Sequence, residues 1–337
     1  SVLIILAAAA AISCGSDATP TTPSAVAPAT PVDVKTSLST KFDSLSIPST
    51  SACSISISQH GQLLLERGRG QLAPGLPASG DSLYRIASLT KPITAGAVLV
   101  SERAGRLNRN DKISRFVAFA EPAPTIDELI KHVPGLPDYI ATPAYQSGRT
   151  SATSLENLLS LIQPWDGVRR NQYSNSHAIL SGAALQQANK LRYEEVVQRD
   201  IFGPAGMSQS SFAVPPAESF PFPPTHPSWV FAAGGVTSTA ADMNRFNQAL
   251  LSNLFGFGAP ESFDRSVGVT SFGMGSGSPD GDLRFTHSGL LNEYSSFTVF
   301  FPGDRASVVV LCNFPGNGLG NFVLGPGGIR SIMLAAK

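Results

Sequence analysis

A chain of 337 residues with 42% hydrophobic composition can bury a substantial core, which excludes a disordered tail and fits one large domain or two lobes. Lys plus Arg equals Asp plus Glu at 24 each, so no net field draws the chain to nucleic acid or to an anionic membrane surface. The partner expected is a small molecule or a peptide.

Val2 to Ile12 is an unbroken apolar run, too short to span a bilayer and similar to the h-region of a secretory signal. It ends in Ala11-Ile12-Ser13-Cys14-Gly15, which resembles a bacterial lipobox. That resemblance implies a signal peptide over 1–13 and a lipid on Cys14. The protein would then sit on the extracytoplasmic side of the bacterial cell envelope, held to the membrane by its lipid alone. The alternative is a cleaved secretory signal with an incidental cysteine, which also places the chain outside the cytoplasm. Residues 14–36 are rich in Ser, Thr, Ala and Pro and read as a flexible linker, with the folded domain over 37–337.

Cys53-Ser-Ile-Ser-Ile-Ser alternates, Gln59-His60-Gly61 turns, and Leu63 to Arg67 resumes an extended pattern, which predicts a hairpin. Helical periodicity follows over Ala95 to Glu102, Ile126 to Lys131, Leu155 to Ile162, Ala178 to Ala188, Glu194 to Phe202 and Ala240 to Leu251. Strands return over Leu283 to Ser288, Ser295 to Phe301 and Ala306 to Leu311, and a short helix from Ile329 closes the chain. Strands at both ends with helices between them predict an α+β fold, an α/β sandwich. One antiparallel sheet would be built from 50–70 and 283–312 and flanked by helices, with an all-α lobe inserted over about 96–265.

Three motifs occur once each. Ser88-Leu-Thr-Lys91 opens a helix, because Pro92 lacks an N–H and belongs in a first turn. Ser88 at a helix start can use exposed N–H groups to stabilise an oxyanion, and Lys91 returns to the same face, within reach of the seryl proton. A lysine in that role must be neutral, which burial achieves. Tyr173-Ser-Asn175 precedes another helix; a tyrosine near cations can shuttle a proton as phenolate, and the Asn175 amide can hold the lysine and a substrate carbonyl. His287-Ser288-Gly289 ends a strand, where glycine lets substrate lie against the edge and the N–H of Leu290 can complete an oxyanion hole with that of Ser88.

In that order the motifs resemble the class C branch of the serine β-lactamase and penicillin-binding-protein superfamily. Leu83 to Lys91, Gly135-Leu-Pro-Asp-Tyr139, Tyr173 to Ser176, Ile201 to Met207, Gly234 to Ser238 and Tyr294-Ser-Ser296 extend the likeness across the domain. The resemblance implies a β-lactamase/transpeptidase-like fold and an acyl-enzyme on Ser88, with proton transfer by Lys91 and Tyr173. Asn175, His287, Ser288, Gly289 and Leu290 would line the substrate site. It also implies that the strands carrying Cys53 and Cys312 pair antiparallel, which would make a disulfide between them possible.

Two departures stand out. His287 occupies the place of the usual lysine of K-T-G, and a largely neutral imidazole recognises a carboxylate less well. This shifts the expectation from a potent β-lactamase toward a serine hydrolase acting on esters, amides or D-amino-acid peptides. A true β-lactamase or D,D-carboxypeptidase is the runner-up, and a catalytically silent protein binding cell-wall ligands is the reading of another class. His132-Val-Pro-Gly-Leu136 puts Pro134 where relatives commonly carry serine, leaving the local hydrogen bonding open. His60, His177 and His226 are scattered, so no metal or cofactor is expected, and no G-x-S-x-G occurs. Asn292 and Glu293 follow the H-x-G strand and could line the cleft, though a turn residue and a solvated acid are the favoured readings, and Phe220-Pro-Phe-Pro-Pro224 reads as a border of the site or a cover for the core.

Overall fold

The computed structural model describes residues 33–214, 224–265, 272–277, 281–316 and 318–335. The 1–13 segment, Cys14, the linker as far as Val32 and Phe220 to Pro223 lie outside the described residues.

The alternation from Cys53 to Ser58 forms strand β1 (Ala52–Gln59), which turns back at His60 and Gly61 into β2 (Gln62–Ala73) and then β3 (Leu76–Pro77). A short ladder joins β4 (Tyr84–Arg85) to β5 (Thr237–Ser238). The remaining strands are β6 (Gly275–Gly277), β7 (Arg284–Leu290), β8 (Ser295–Phe301) and β9 (Ala306–Cys312). Among the described residues, seven strands make one antiparallel sheet in the order β3-β2-β1-β9-β8-β7-β6, so the two ends of the domain meet at β1 and β9. In that register Cys53 faces Cys312, and a disulfide joins them with their Cα atoms 4.1 Å apart.

Alternate residues of the sheet serve different layers. Cys53, Ile55, Ile57, Val308 and Val310 pack on Leu38 and Phe42 of helix Val34–Asp43 and on Val323, Ile329 and Met333 near the C-terminus. Each such side chain contributes about 1.5–3 kcal/mol by leaving water. The helix begins ahead of the boundary placed at 37, because the Asp33 carboxylate caps it by accepting from the Lys35 N–H (3.1 Å) and the Thr36 hydroxyl (2.5 Å).

The other face of β1 is polar yet buried. Ser56 and Ser58 lie under helix Ala240–Leu251, where Asn244 accepts from Ser58 Oγ (2.8 Å) and donates to Ser56 Oγ (2.8 Å). One turn along, Asn247 donates to Thr298 of β8 and Ser307 of β9, both at 2.8 Å. These bonds fix the axial position of the helix, which apolar contact alone would leave free to slide.

The predicted helices and strands are present with shifted ends. The helix expected from Ala178 begins at Asn175, and the stretch to Phe202 is Tyr193–Val197 followed by a wider π turn, Gln198–Phe202. β7 runs on to Leu290, two residues past the end expected at Ser288. Helices Pro143–Gly148 and Pro227–Gly234 and strand β6 have no counterpart in the periodicity; they are too short or too glycine-rich to fill a periodic window. Among the described residues no helix is long and apolar enough to cross a membrane.

Replacing Asn244 by Ala removes the bridge between Ser56 and Ser58 and is expected to lower the unfolding free energy by about 1–3 kcal/mol. Denaturant melts check this, and a midpoint equal to the parent's would contradict the role given to the buried seam.

Candidate active site

Tyr84 and Arg85 are held by β5, and the Ile86 N–H donates to Val236 O (3.0 Å). The chain then turns sharply: Ala87 takes φ +50°, a left-handed conformation that costs a non-glycine residue about 1–3 kcal/mol. Ser88 follows in a single 3₁₀ turn (Ala87–Leu89) that leads into helix Thr90–Arg103, with Pro92 in its first turn. This placement turns the hydroxyl into a cleft of about 840 Å³.

Lys91 lies behind Ser88, only 3% exposed. Its Nζ is 2.9 Å from Ser88 Oγ, 2.7 Å from Asn175 Oδ1 and 2.8 Å from Ala233 O. Burial pushes the amine down to about 7 against the pull of Asp138, so a large fraction is uncharged at neutral pH. A neutral amine has two N–H bonds and one lone pair. With the N–H bonds directed at the Asn175 and Ala233 oxygens, which only accept, the lone pair is left for the Ser88 proton. Asn175 presents its oxygen because Asp138 Oδ2 accepts from its amide nitrogen (2.8 Å) and its backbone N–H (3.1 Å). Ala233 presents its carbonyl because the chain leaves helical geometry at Phe231 (φ 32°, ψ −124°).

Tyr173 Oη is 2.8 Å from Ser88 Oγ. The ring forms part of the cleft wall, and the residue is 45% exposed, but its hydroxyl end is enclosed by Ser88 and Asn175. That enclosure raises the phenol above its ordinary value, so Tyr173 carries its proton at neutral pH. Desolvation outweighs the hydrogen bond with Ser88 and favours the phenol over the phenolate form in the resting site. Its ring lies tilted against His132, with centroids 4.7 Å apart, and His132 meets His177 at 2.8 Å between Nδ1 atoms. His177 Nε2 accepts from Leu136 N, so its Nδ1 must donate and His132 Nδ1 must accept. Burial pushes both imidazoles down, which keeps the pair neutral. The open question at Pro134 resolves locally: Val133 O accepts from Arg170 N and Asn171 N, each at 3.0 Å.

β7 forms the opposite wall with His287, Ser288 and Leu290. Gly289 approaches the turn before Ser88 so closely that a Cβ there would lie 2.6 Å from Ile86 O and 2.3 Å from Ser296 Oγ, and Ser296 Oγ itself donates to Ile86 O (2.8 Å). His287 is half-buried; its Nδ1–H donates to Ser288 O (2.6 Å), and burial beside Lys91 pushes it down to about 4. It therefore offers the cleft no positive charge.

Three features of the site go beyond what the sequence reading assigned, although Asn292 is named there as a residue that could line the cleft, as it does. Asp138 lies in a block noted for its likeness but was given no role. Arg149 and Asn292 meet at the cleft, with the Asn292 amide oxygen accepting from Nη1 (2.7 Å) and Nη2 (3.0 Å). Glu293, expected to be solvated, is fully buried near Arg85 and Arg149, because the β7–β8 connection folds inward. Among the described residues no group of three or more His, Cys, Asp or Glu side chains is placed to hold a metal.

The family model described as Beta-lactamase matches residues 46–322. A penicillin-binding protein of Bacillus subtilis (strain 168) is 25% identical over 291 residues, covering 73% of this chain and 64% of that protein. The chain spans less than two thirds of the length of the curated relatives it matches first. Among solved structures, a D-stereospecific amidohydrolase from Streptomyces sp. superimposes with TM-score 0.68 at 17% identity, covering 91% of this chain and 98% of that one. A D-amino acid amidase from Ochrobactrum anthropi SV3 gives TM-score 0.68 at 18% identity, over 90% and 100%. These likenesses establish the β-lactamase/transpeptidase-type fold.

Gly289→Ala must push β7 away from Ile86 and Ser88. The rate at which a serine-directed probe labels the protein is expected to fall about a hundredfold or more while the circular dichroism spectrum stays that of the parent. Full acylation by the alanine variant would show that the close approach is unimportant to the site.

Proposed function

We propose, from the premise that the chain belongs to the Beta-lactamase family of serine hydrolases, that it cleaves an ester, amide or D-amino-acid peptide through an acyl-enzyme on Ser88. The observation that carries this reading is the partnering of Lys91: a buried amine, pushed down to about 7, with a hydroxyl at 2.9 Å as the remaining partner for its lone pair.

In the proposed sequence Lys91 takes the Ser88 proton while Oγ bonds to the substrate carbonyl carbon. The N–H groups of Ser88 and Leu290 receive the oxyanion. Tyr173 gives its phenol proton to the departing group and regains one from Lys91, so the amine is neutral again when the acyl-enzyme forms. Water then attacks the ester with the same groups acting in reverse order, releasing the acid and restoring Ser88.

The amidohydrolase and amidase likeness favours D-amino-acid derivatives as the substrate class. The neutral His287 weighs against strong β-lactam turnover, since it cannot supply the charge that a lysine would. A silent binding protein has no need of a lysine desolvated beside a serine. The proposal also keeps the envelope location read from Val2 to Cys14, with lipid on Cys14; palmitate labelling that survives Cys14→Ser would remove that part.

Incubation with a nitrophenyl ester or a D-amino-acid amide should give turnover or a mass increment on Ser88, and Ser88→Ala should give neither. Lys91→Ala should cost about 10²–10⁴ in rate. Because protonated Lys91 has no lone pair, kcat/KM should rise with pH through about 7 and be lost below it. Unmodified protein with every probe, or undiminished activity in Ser88→Ala, would overturn the hydrolase reading.

A further inference from the structure

Resting on that hydrolase reading, we propose that Arg149 binds a carboxylate of the substrate at the Leu290 end of the cleft, away from His287. Among the described residues that line the cleft, Arg149 is the one that is charged at neutral pH. His287 is neutral, with its ring proton committed to Ser288 O. Of the side chains that wall the cleft, the guanidinium is thus the one with a full charge, and the partly protonated Lys91 lies behind Ser88 rather than in the wall.

Arg149 is built in rather than waving in solvent. Its N–H donates to Tyr145 O (3.0 Å), and its carbonyl accepts from His226 N (2.7 Å). The guanidinium donates to Thr225 Oγ1 (3.1 Å) and by two N–H groups to the Asn292 amide oxygen. These acceptors are neutral, so they orient the fork without cancelling its charge, and they leave N–H groups unused. Among the described residues Arg149 makes no ion pair. Glu293 feels the charges of both Arg85 and Arg149, and the three together carry a net charge of one positive unit when Glu293 is ionised.

The direction of β7 gives the position. His287 precedes Leu290, and Asn292 follows it, so the Arg149–Asn292 pair and His287 flank the proposed oxyanion donor on opposite sides. The guanidinium charge is thus located at the end of β7 beyond Leu290. Asn292 and Thr225 take three of the five N–H groups, and the Nε–H with the remaining Nη2–H forms a side-on fork that suits a carboxylate.

The test uses two matched pairs of nitrophenyl or phenyl esters. In one the acyl chain ends in carboxylate or methyl; in the other the leaving group carries a carboxylate or none. The quantity read is the anionic-to-neutral ratio of kcat/KM, which is independent of the fraction of active enzyme. The parent should favour the anionic member of one pair, and Arg149→Gln should lower that ratio by about tenfold to a hundredfold. Arg149→Lys, which keeps the charge but loses the fork, should fall between them. A parent ratio near unity in both pairs, or a preference that survives Arg149→Gln, overturns the proposal while turnover of the neutral esters leaves the hydrolase reading intact. If the glutamine variant does not fold, the parent decides it: an anionic preference unchanged by about 0.5 M salt is not electrostatic and also overturns the proposal. Absence of turnover with every ester would instead remove the hydrolase reading on which this one rests.

Discussion

A buried lysine amine that is readily deprotonated beside a serine hydroxyl is the constraint on which the site depends. Taking an ammonium out of water costs several kcal/mol, and the protein meets that cost by letting the proton go. Among the described residues Lys91 makes no ion pair with a carboxylate; the acid that acts on it, Asp138, is bonded to Asn175 instead. An acid in direct contact would hold the proton on the amine and close the lone pair to Ser88. Asp138 thus does its work at one remove, by turning the Asn175 amide so that oxygen faces Lys91.

The rest of the fold serves that geometry from two directions. The helical side supplies Lys91, Asn175, Tyr173 and the Ala233 carbonyl, and the neutral His132–His177 pair holds the Tyr173 ring without adding charge. The sheet side supplies β7, which can approach Ser88 only because residue 289 has no side chain. The left-handed Ala87 joins the two, and it persists because Ile86 is bonded on both sides, to Val236 and to Ser296. Strain of this kind at a nucleophile is stable when the surrounding ladder over-determines it.

Much of this is legible in the residues. S-x-x-K, Y-x-N and H-x-G name the side chains that converge, and the alternation in Cys53 to Ser58 gives β1 and, through the family likeness, its partner β9. What is not legible is who faces whom across the cleft. The Ala233 carbonyl is a backbone group exposed by a kink at Phe231, which no side-chain pattern announces. Arg149 ends a six-residue helix and reads as a solvated charge; its bond to Asn292 spans 143 positions of sequence. Glu293 looks like any acid in a turn, and Ser56 and Ser58 look like the wet face of a strand until helix Ala240–Leu251 covers them. In each case the missing information is a tertiary neighbour, and polarity alone misleads about burial.

The central claim is the protonation state of one amine. Selective carbon-13 labelling of lysine, with the Lys91 signal assigned by its loss in Lys91→Arg, would follow its titration directly by NMR in the resting enzyme. The account predicts a midpoint of about 7. A midpoint at the ordinary lysine value of about 10.4 would contradict it, because Lys91 would then be an ammonium with nothing to accept the Ser88 proton.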